Sequence, residues 1–143
     1  RDDDFTDALF ITKLKKVEKE TGLELLPSYT YSRVYSYNAE LPSHVDRDPC
    51  EVSITMTWGS CGTPWPIFID NNEIHIKPGD AVIYLGCDLE HYRKHFEGDY
   101  HVQSFFHYVD KNDNKSNNVF ENRPYHLDPT INFTEHKYYG KKT

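Results

Sequence analysis

The sequence has no apolar run near the roughly 20 residues that span a bilayer, no internal repeat, and only three cysteines in 143 residues. The first absence excludes a transmembrane helix. Cys50, Cys61 and Cys87 are odd in number and form no C-x-x-C pair, which argues against a disulfide scaffold and for reduced thiols in a cytoplasmic setting. Basic charge is also short. Sixteen Lys and Arg stand against 23 Asp and Glu, a net charge of -7, so no basic face is available for phosphates and neither a nucleic-acid nor a membrane partner is expected. The cluster Lys13, Lys15 and Lys16 reads as the solvated side of a helix. The sequence begins at Arg1 with neither a methionine nor a signal-like apolar stretch, and the chain is expected to be N-terminally trimmed, its true N-terminus lying upstream. Two glycosylation-like triplets begin at Asn114 and Asn132, motifs too short to carry weight.

What is present is a globular composition, 27% charged and 37% hydrophobic, in a length that suits one domain with a real core. Acidic residues Asp2 to Asp4 offer helix caps, and Phe5, Leu9, Leu14 and Val17 recur at near-helical spacing up to Gly22. That pattern predicts one amphipathic helix of about four turns. Beyond Gly22 the chain becomes aromatic, β-branched and punctuated by Pro and Gly. Tyr29–Tyr37 alternates as a strand does, and "SHVD" continues extended. Glu51–Trp58 places Val52, Ile54, Met56 and Trp58 on one face and Ser53, Thr55 and Thr57 on the other. "WPIFID" and "EIHI" flank a hairpin turn expected at Asn71-Asn72. "KPGDAVIYLG" reads as a turn and a buried strand, and Val102–Asp110 as the last strand. Six or so short strands after one helix predict a mainly β fold, a sandwich or jelly roll. After Asp110 the composition turns polar. Residues 1–110 are expected to form the core with its helix, and 111–143 a polar loop and tail packing on the same domain.

His44 and Asp46 are two apart, so on an extended segment both side chains share one face. Together with one further histidine they would make a two-histidine, one-carboxylate set, which holds Fe(II) and leaves three positions open. His91, between the buried strand and the last one, is the best third candidate. The pair His91/His95 has helical spacing, but Tyr92 stands where the zinc-protease motif has its glutamate, and the stretch is too short for a stable helix. His126 and Asp128 repeat the His-x-Asp spacing with no strand pattern around them and read as a turn in the tail.

In order, "YSRVYSYNAELPSHVDRDPCEVSITMTWG", "WPIFI", "KPGDAVIYLGCDLEHYRKHFEG" and "QSFFHYVD" resemble the 2-oxoglutarate/Fe(II)-dependent dioxygenases, in their prolyl 4-hydroxylase-like branch. The resemblance covers Tyr29 to Asp110. It implies a double-stranded β-helix with the N-terminal helix packed on it, and His44, Asp46 and His91 as iron ligands. It also implies a 2-oxoglutarate site with Tyr35 at its far carboxylate. The family's Lys or Arg about ten residues past the last histidine is replaced by His101. A histidine is a less certain cation than a guanidinium, and Arg93, two past His91, is the preferred alternative. Thr55 and Gln103 are candidates for further hydrogen bonds, with ordinary strand packing as the competing role. Arg47, Trp58 and Trp65 are candidates to face the substrate, the two tryptophans equally candidates for core or rim.

The implied reaction is hydroxylation of a C–H bond in a peptide or small molecule. Peptidyl proline is favoured by the resemblance alone. Dioxygen and 2-oxoglutarate would be consumed, succinate and carbon dioxide released, and ascorbate would serve as accessory reductant. The competing reading is a cupin-like metal-binding isomerase or binding module, since His44-x-Asp46 and "KPGD" also echo that fold. A third is an interaction domain that has kept the fold without the activity. Substrate and oligomeric state are not legible in the chain.

Overall fold

A computed structural model describes residues 4–118. Asp2, Asp3, His126, Asp128 and Asn132 therefore lie outside the described residues, as does the expected tail from residue 119. A single helix, α1 (Asp4–Thr21), is followed by eight strands: β1 (Leu25–Ser36), β2 (Leu41–His44), β3 (Val52–Ser60), β4 (Ile67–Ile69), β5 (Asn72–Ile74), β6 (Ala81–Leu85), β7 (His91–Arg93) and β8 (Tyr100–Asp110). Short 3-10 turns lie at Asp48–Cys50 and Asn114–Asn118. None of the described helices is long and apolar enough to cross a membrane.

The strands form two four-stranded sheets, ordered β1-β8-β3-β6 and β2-β7-β4-β5. Strands 1 and 8, 2 and 7, 3 and 6, and 4 and 5 all pair antiparallel. That nesting is what results when one long hairpin is wrapped into a barrel, and it makes the fold a jelly roll. The strands number eight because "HYR" is itself a strand, β7, held between β2 and β4. It is too short to announce itself by alternation.

Helix α1 closes the outer face of the larger sheet. Phe10, Leu14 and Val17, spaced three and four apart, bury against Val52, Ile54, Phe106 and Tyr108. The expected stripe therefore shifts. Phe5 stays 65% exposed, its ring beside Trp58 at 5.5 Å, and Phe10 takes the buried place. The helix runs 18 residues, nearer five turns than four. It ends at Gly22, whose φ of 74° permits the left-handed cap. Asp7 and Thr6 are also buried in the helix, and Thr30 supplies the reason: its hydroxyl donates to Asp7 Oδ1 at 2.9 Å and meets Thr6 Oγ1 at 3.2 Å.

Two local expectations need correction. The hairpin turn is Asp70-Asn71, one residue earlier than expected, because Asn72 already pairs with Ile69. Both turn residues have positive φ, 48° and 60°, as a two-residue turn of matching twist requires. The β6 segment is an edge strand rather than a buried one, with Ala81 and Leu85 exposed.

The alternation in β3 has a consequence for function. Its apolar face, with Val52 and Ile54, lies under α1. Its polar face turns into the barrel, and Ser53, Thr55 and Thr57 are all fully buried. Register places Ser53 opposite His107, Thr55 opposite Phe105 and Thr57 opposite Gln103. Tyr35 lies opposite His101, and Tyr29 opposite His107. The barrel interior is thus a polar strip flanked by two apolar clusters. Tyr35, Trp65, Phe96 and Phe105 form one, and Ile67, Ile69 and Tyr84 the other.

Candidate metal centre and its surroundings

His44 closes β2 and His91 opens β7, and the two are direct register partners. Their ring centroids lie 4.4 Å apart. Each ring is oriented by a carbonyl two residues earlier: His44 Nδ1 donates to Pro42 O at 2.8 Å and His91 Nδ1 to Leu89 O at 2.9 Å. A carbonyl only accepts, so in each neutral ring the proton sits on Nδ1 and Nε2 keeps its lone pair. Both Nε2 atoms point at Asp46 Oδ1, at 3.6 Å from His44 and 3.5 Å from His91. The ligand atoms of the three residues all lie within 4.8 Å of one another. Those separations leave room for one ion bonded at roughly 2.1 Å to each atom.

Asp46 is tethered by its own backbone, whose N–H donates to Gly86 O at 2.7 Å. A Cβ built on Gly86 would strike Asp46 Oδ2 and the Cys50 carbonyl, and would come within 2.6 Å of Ser53 Oγ. Only glycine fits beside this carboxylate. Burial pushes the Asp46 carboxyl up, but a hydrogen bond from the His91 ring in its protonated form and one from the Ser53 hydroxyl outweigh it and hold the group below its ordinary range. For His91, burial favours the neutral ring, yet Asp46 and the Leu89 carbonyl raise it overall. Both shifts describe a carboxylate already drawing positive charge towards itself.

Arg93 lies two residues beyond His91 and so on the same strand face. It is only 3% exposed. Its Nη1 donates to the Trp65 carbonyl, and its guanidinium carbon sits 4.6 Å over the Trp65 ring. Its Nη2 is buried with no hydrogen-bond partner among the described residues. Burial lowers its pKa to about 10, which leaves it charged at neutral pH. His101 is buried nearby, and burial together with Arg93 lowers its pKa to about 4. It is a neutral ring. His101 Nδ1 and Gln103 Oε1 are also buried without partners among the described residues, although Gln103 Nε2 donates to Thr55 Oγ1 at 3.0 Å.

The remaining expected positions divide. Tyr35 is buried in this region, its ring 4.8 Å from Trp65. Trp65 is interior wall rather than rim, 6% exposed, its Nε1 donating to Lys94 O at 2.6 Å. Trp58 is on the wrong side to meet a substrate in the barrel. Its Nε1 donates to Ser104 Oγ at 2.6 Å, and its ring sits by Phe5 of α1, outside the barrel. The bulge between Thr57 and Gly59 does not bring it in. Arg47 is exposed near Tyr29, 3.4 Å from its hydroxyl. His95 pairs at the surface with Glu40 at 3.2 Å, away from the cluster.

Ser53, Gly86 and His107 were not singled out from the sequence. A signal for His107 existed: it continues the alternate positions His101, Gln103 and Phe105 along β8. With Asp46 and Cys50 it forms a second group whose ligand atoms lie within 4.8 Å.

No family model matches the chain, and no curated protein sequence does. Solved structures do resemble it in shape. A 2OG-Fe(II) oxygenase family oxidoreductase from Burkholderia pseudomallei superposes with a TM-score of 0.54 at 13% identity, covering 68% of this chain and 52% of that one. The cupin domain of an XRE family transcriptional regulator from Enterobacter cloacae gives 0.43 at 15% identity, covering 59% and 94%. The Cnp3 cupin domain of Schizosaccharomyces pombe gives 0.48 at 12%, covering 63% and 61%. The chain spans about half the length of the oxygenase it resembles. At these identities the likeness is one of fold, and the fold is a jelly-roll β-sandwich with an N-terminal helix.

Proposed function

We propose that this chain is an Fe(II)- and 2-oxoglutarate-dependent oxygenase that hydroxylates a C–H bond. His44, Asp46 and His91 would hold the metal, and Arg93 would pair with the far carboxylate of 2-oxoglutarate. The observation that carries the reading is Arg93, a buried cation with one unmet donor on the same strand face as a candidate ligand. Burying an uncompensated guanidinium is costly, and an anion delivered between the sheets would meet that donor. His91 and Arg93 lie about 6.6 Å apart along the strand, close to the span of a five-carbon diacid. The donor set, two imidazoles and one carboxylate, suits a divalent iron and leaves positions for a chelating oxo acid.

When bound, iron and 2-oxoglutarate supply the oxidising chemistry, with succinate and carbon dioxide as by-products. The chain itself contributes placement. Asp46 supplies a carboxylate kept ionised, and the two histidines present lone pairs fixed by their backbone hydrogen bonds. Trp65, packed with Tyr35 and Phe96 in one buried cluster, covers the Arg93 guanidinium, and the low exposure of Arg93 strengthens its hold on a carboxylate. Gln103 and Thr55 present a further acceptor and hydroxyl on the same strip. His101, being neutral, serves as a hydrogen-bonding ring and not as the cation.

Of the expected substrate residues, Arg47 remains at an accessible position, and a peptide or small molecule is the substrate class proposed, with peptidyl proline first to test. Ascorbate would keep the metal ferrous. Cys50, Cys61 and Cys87 are all free thiols, which suits a reducing compartment such as the cytoplasm. The alternative, a cupin-like isomerase or binding module, has the same fold and metal cluster but gives Arg93 no role.

The test is anaerobic titration with Fe(II) and 2-oxoglutarate. The weak visible charge-transfer band of the chelate is expected in wild type and should vanish in His44→Ala and Asp46→Ala. Metal binding without that band, and without 2-oxoglutarate affinity, would favour the cupin-like alternative.

A further inference from the structure

The two oxygens of Asp46 face different surroundings. Oδ1 lies towards His44 and His91, while Oδ2 is 2.7 Å from Ser53 Oγ. The Ser53 hydroxyl also lies 3.1 Å from the Cys50 carbonyl and 2.9 Å from His107 Nδ1. It owns a single proton. The carboxylate and the carbonyl can only accept, so that proton goes into their fork, nearer Oδ2. The contact with His107 must then be donated by the imidazole, which fixes a proton on Nδ1. The chain of donors runs from His107 to Ser53 to Asp46.

This relay is built on the most constrained part of the fold. Ser53 and His107 are register partners at the centre of the larger sheet, and Ser53 is also the partner of Tyr84 in β6. Ser53 is fully buried and His107 is 3% exposed. The His107 ring packs on Tyr29 at 4.6 Å and Tyr31 at 5.9 Å. Gly86 removes the one side chain that would crowd Oδ2.

We propose that His107 and Ser53 are positioning residues for Asp46, holding Oδ2 against the sheet so that Oδ1 alone is presented to the ion. The inference rests on the metal reading above and deepens it. The rival arrangement is also specific. Asp46, Cys50 and His107 could themselves bind an ion, which would draw Oδ2 away from Ser53 and make His107 a ligand.

The experiment measures Mn(II) affinity by electron paramagnetic resonance and records Co(II) spectra on the full chain. Ser53→Ala is expected to weaken Mn(II) binding by about 10- to 100-fold, the range for groups that orient a ligand. Ser53→Thr, which keeps the hydroxyl, should bind as wild type does. His107→Phe should weaken binding like Ser53→Ala, and the double variant no further, because both act through one oxygen. Should Ser53→Ala fail to fold, His107→Gln against His107→Phe carries the same comparison, since the amide keeps a donor. Wild-type affinity in Ser53→Ala and His107→Phe, with binding still abolished in His44→Ala, overturns the relay and leaves the metal reading intact. A thiolate-to-cobalt band lost in Cys50→Ser places the ion at Cys50 and His107 and overturns it as well. No Mn(II) or Co(II) binding in wild type overturns the metal reading itself, and the relay with it.

Discussion

His44 and His91 face each other across the β2/β7 ladder, and each is held in the same tautomer by a carbonyl two residues earlier. The pairing puts two Nε2 lone pairs and Asp46 Oδ1 around one point before any ion arrives. Preorganisation of this kind means that binding need not reorder the rings.

Arg93→Gln should weaken 2-oxoglutarate binding by about 30-fold or more, as losing a buried charge partner costs about 2–5 kcal/mol. Arg93→Lys should fall between, because a point charge lacks the planar fork. His101→Gln should leave the affinity near wild type. Isothermal titration with the metal-loaded protein distinguishes the three, and equal losses in Arg93→Gln and His101→Gln would refute the assignment of Arg93 as sole cation.

Acid should destabilise the fold through His101. Its folded pKa of about 4 lies below the unfolded value, so between pH ~6.5 and ~4 the unfolded chain binds a proton that the folded chain does not. Stability therefore rises with pH across that window, by up to about 1.4 kcal/mol per pH unit from this group, and is fully present above it. Urea midpoints measured across the window should be flatter in His101→Gln than in wild type. An unchanged slope would mean that His101 titrates normally.

Gly86→Ala should cost about 1–3 kcal/mol by overpacking and should also weaken metal binding, because the added methyl displaces Asp46. Gly59→Ala is the control. Its Cβ would meet nothing within 4 Å, and a change of about 0.5 kcal/mol or less is expected. Thermal melts and Mn(II) titration of both variants read the difference.

Trp58→Phe should lose the hydrogen bond to Ser104, a change of about 1 kcal/mol, while metal and 2-oxoglutarate affinities stay as in wild type. A large loss of turnover with stability intact would return Trp58 to the substrate side.

Much of the fold was legible in the chain, and the reasons are local. The helix before Gly22, the long strands β1, β3 and β8, and a hairpin turn within one residue of its place rest on side-chain period and backbone preference, which nearest neighbours decide. The extended spacing of His44 and Asp46 is local in the same sense. β7 was missed because three residues carry no alternation, and Phe5 was misplaced because spacing alone does not say which residues of the first turns reach the sheet, where Phe10 is the buried one. Trp58 shared a face with core residues in sequence, and which face of β3 met the helix could not be told from alternation alone.

The sequence by itself determined the helix, the long strands, a mainly β class, and a His-x-Asp pair with candidate partners. Only the tertiary structure decided that β2 and β7 set His44 opposite His91, that Arg93 is buried with an unmet donor, and that His107 reaches Asp46 through Ser53. Periodicity specifies which side of a strand a residue takes. Register and burial depend on contacts distant in the chain, such as Arg93 with Trp65, 28 residues apart, and Ser53 with His107, 54 apart, and these arise only when the sheets close.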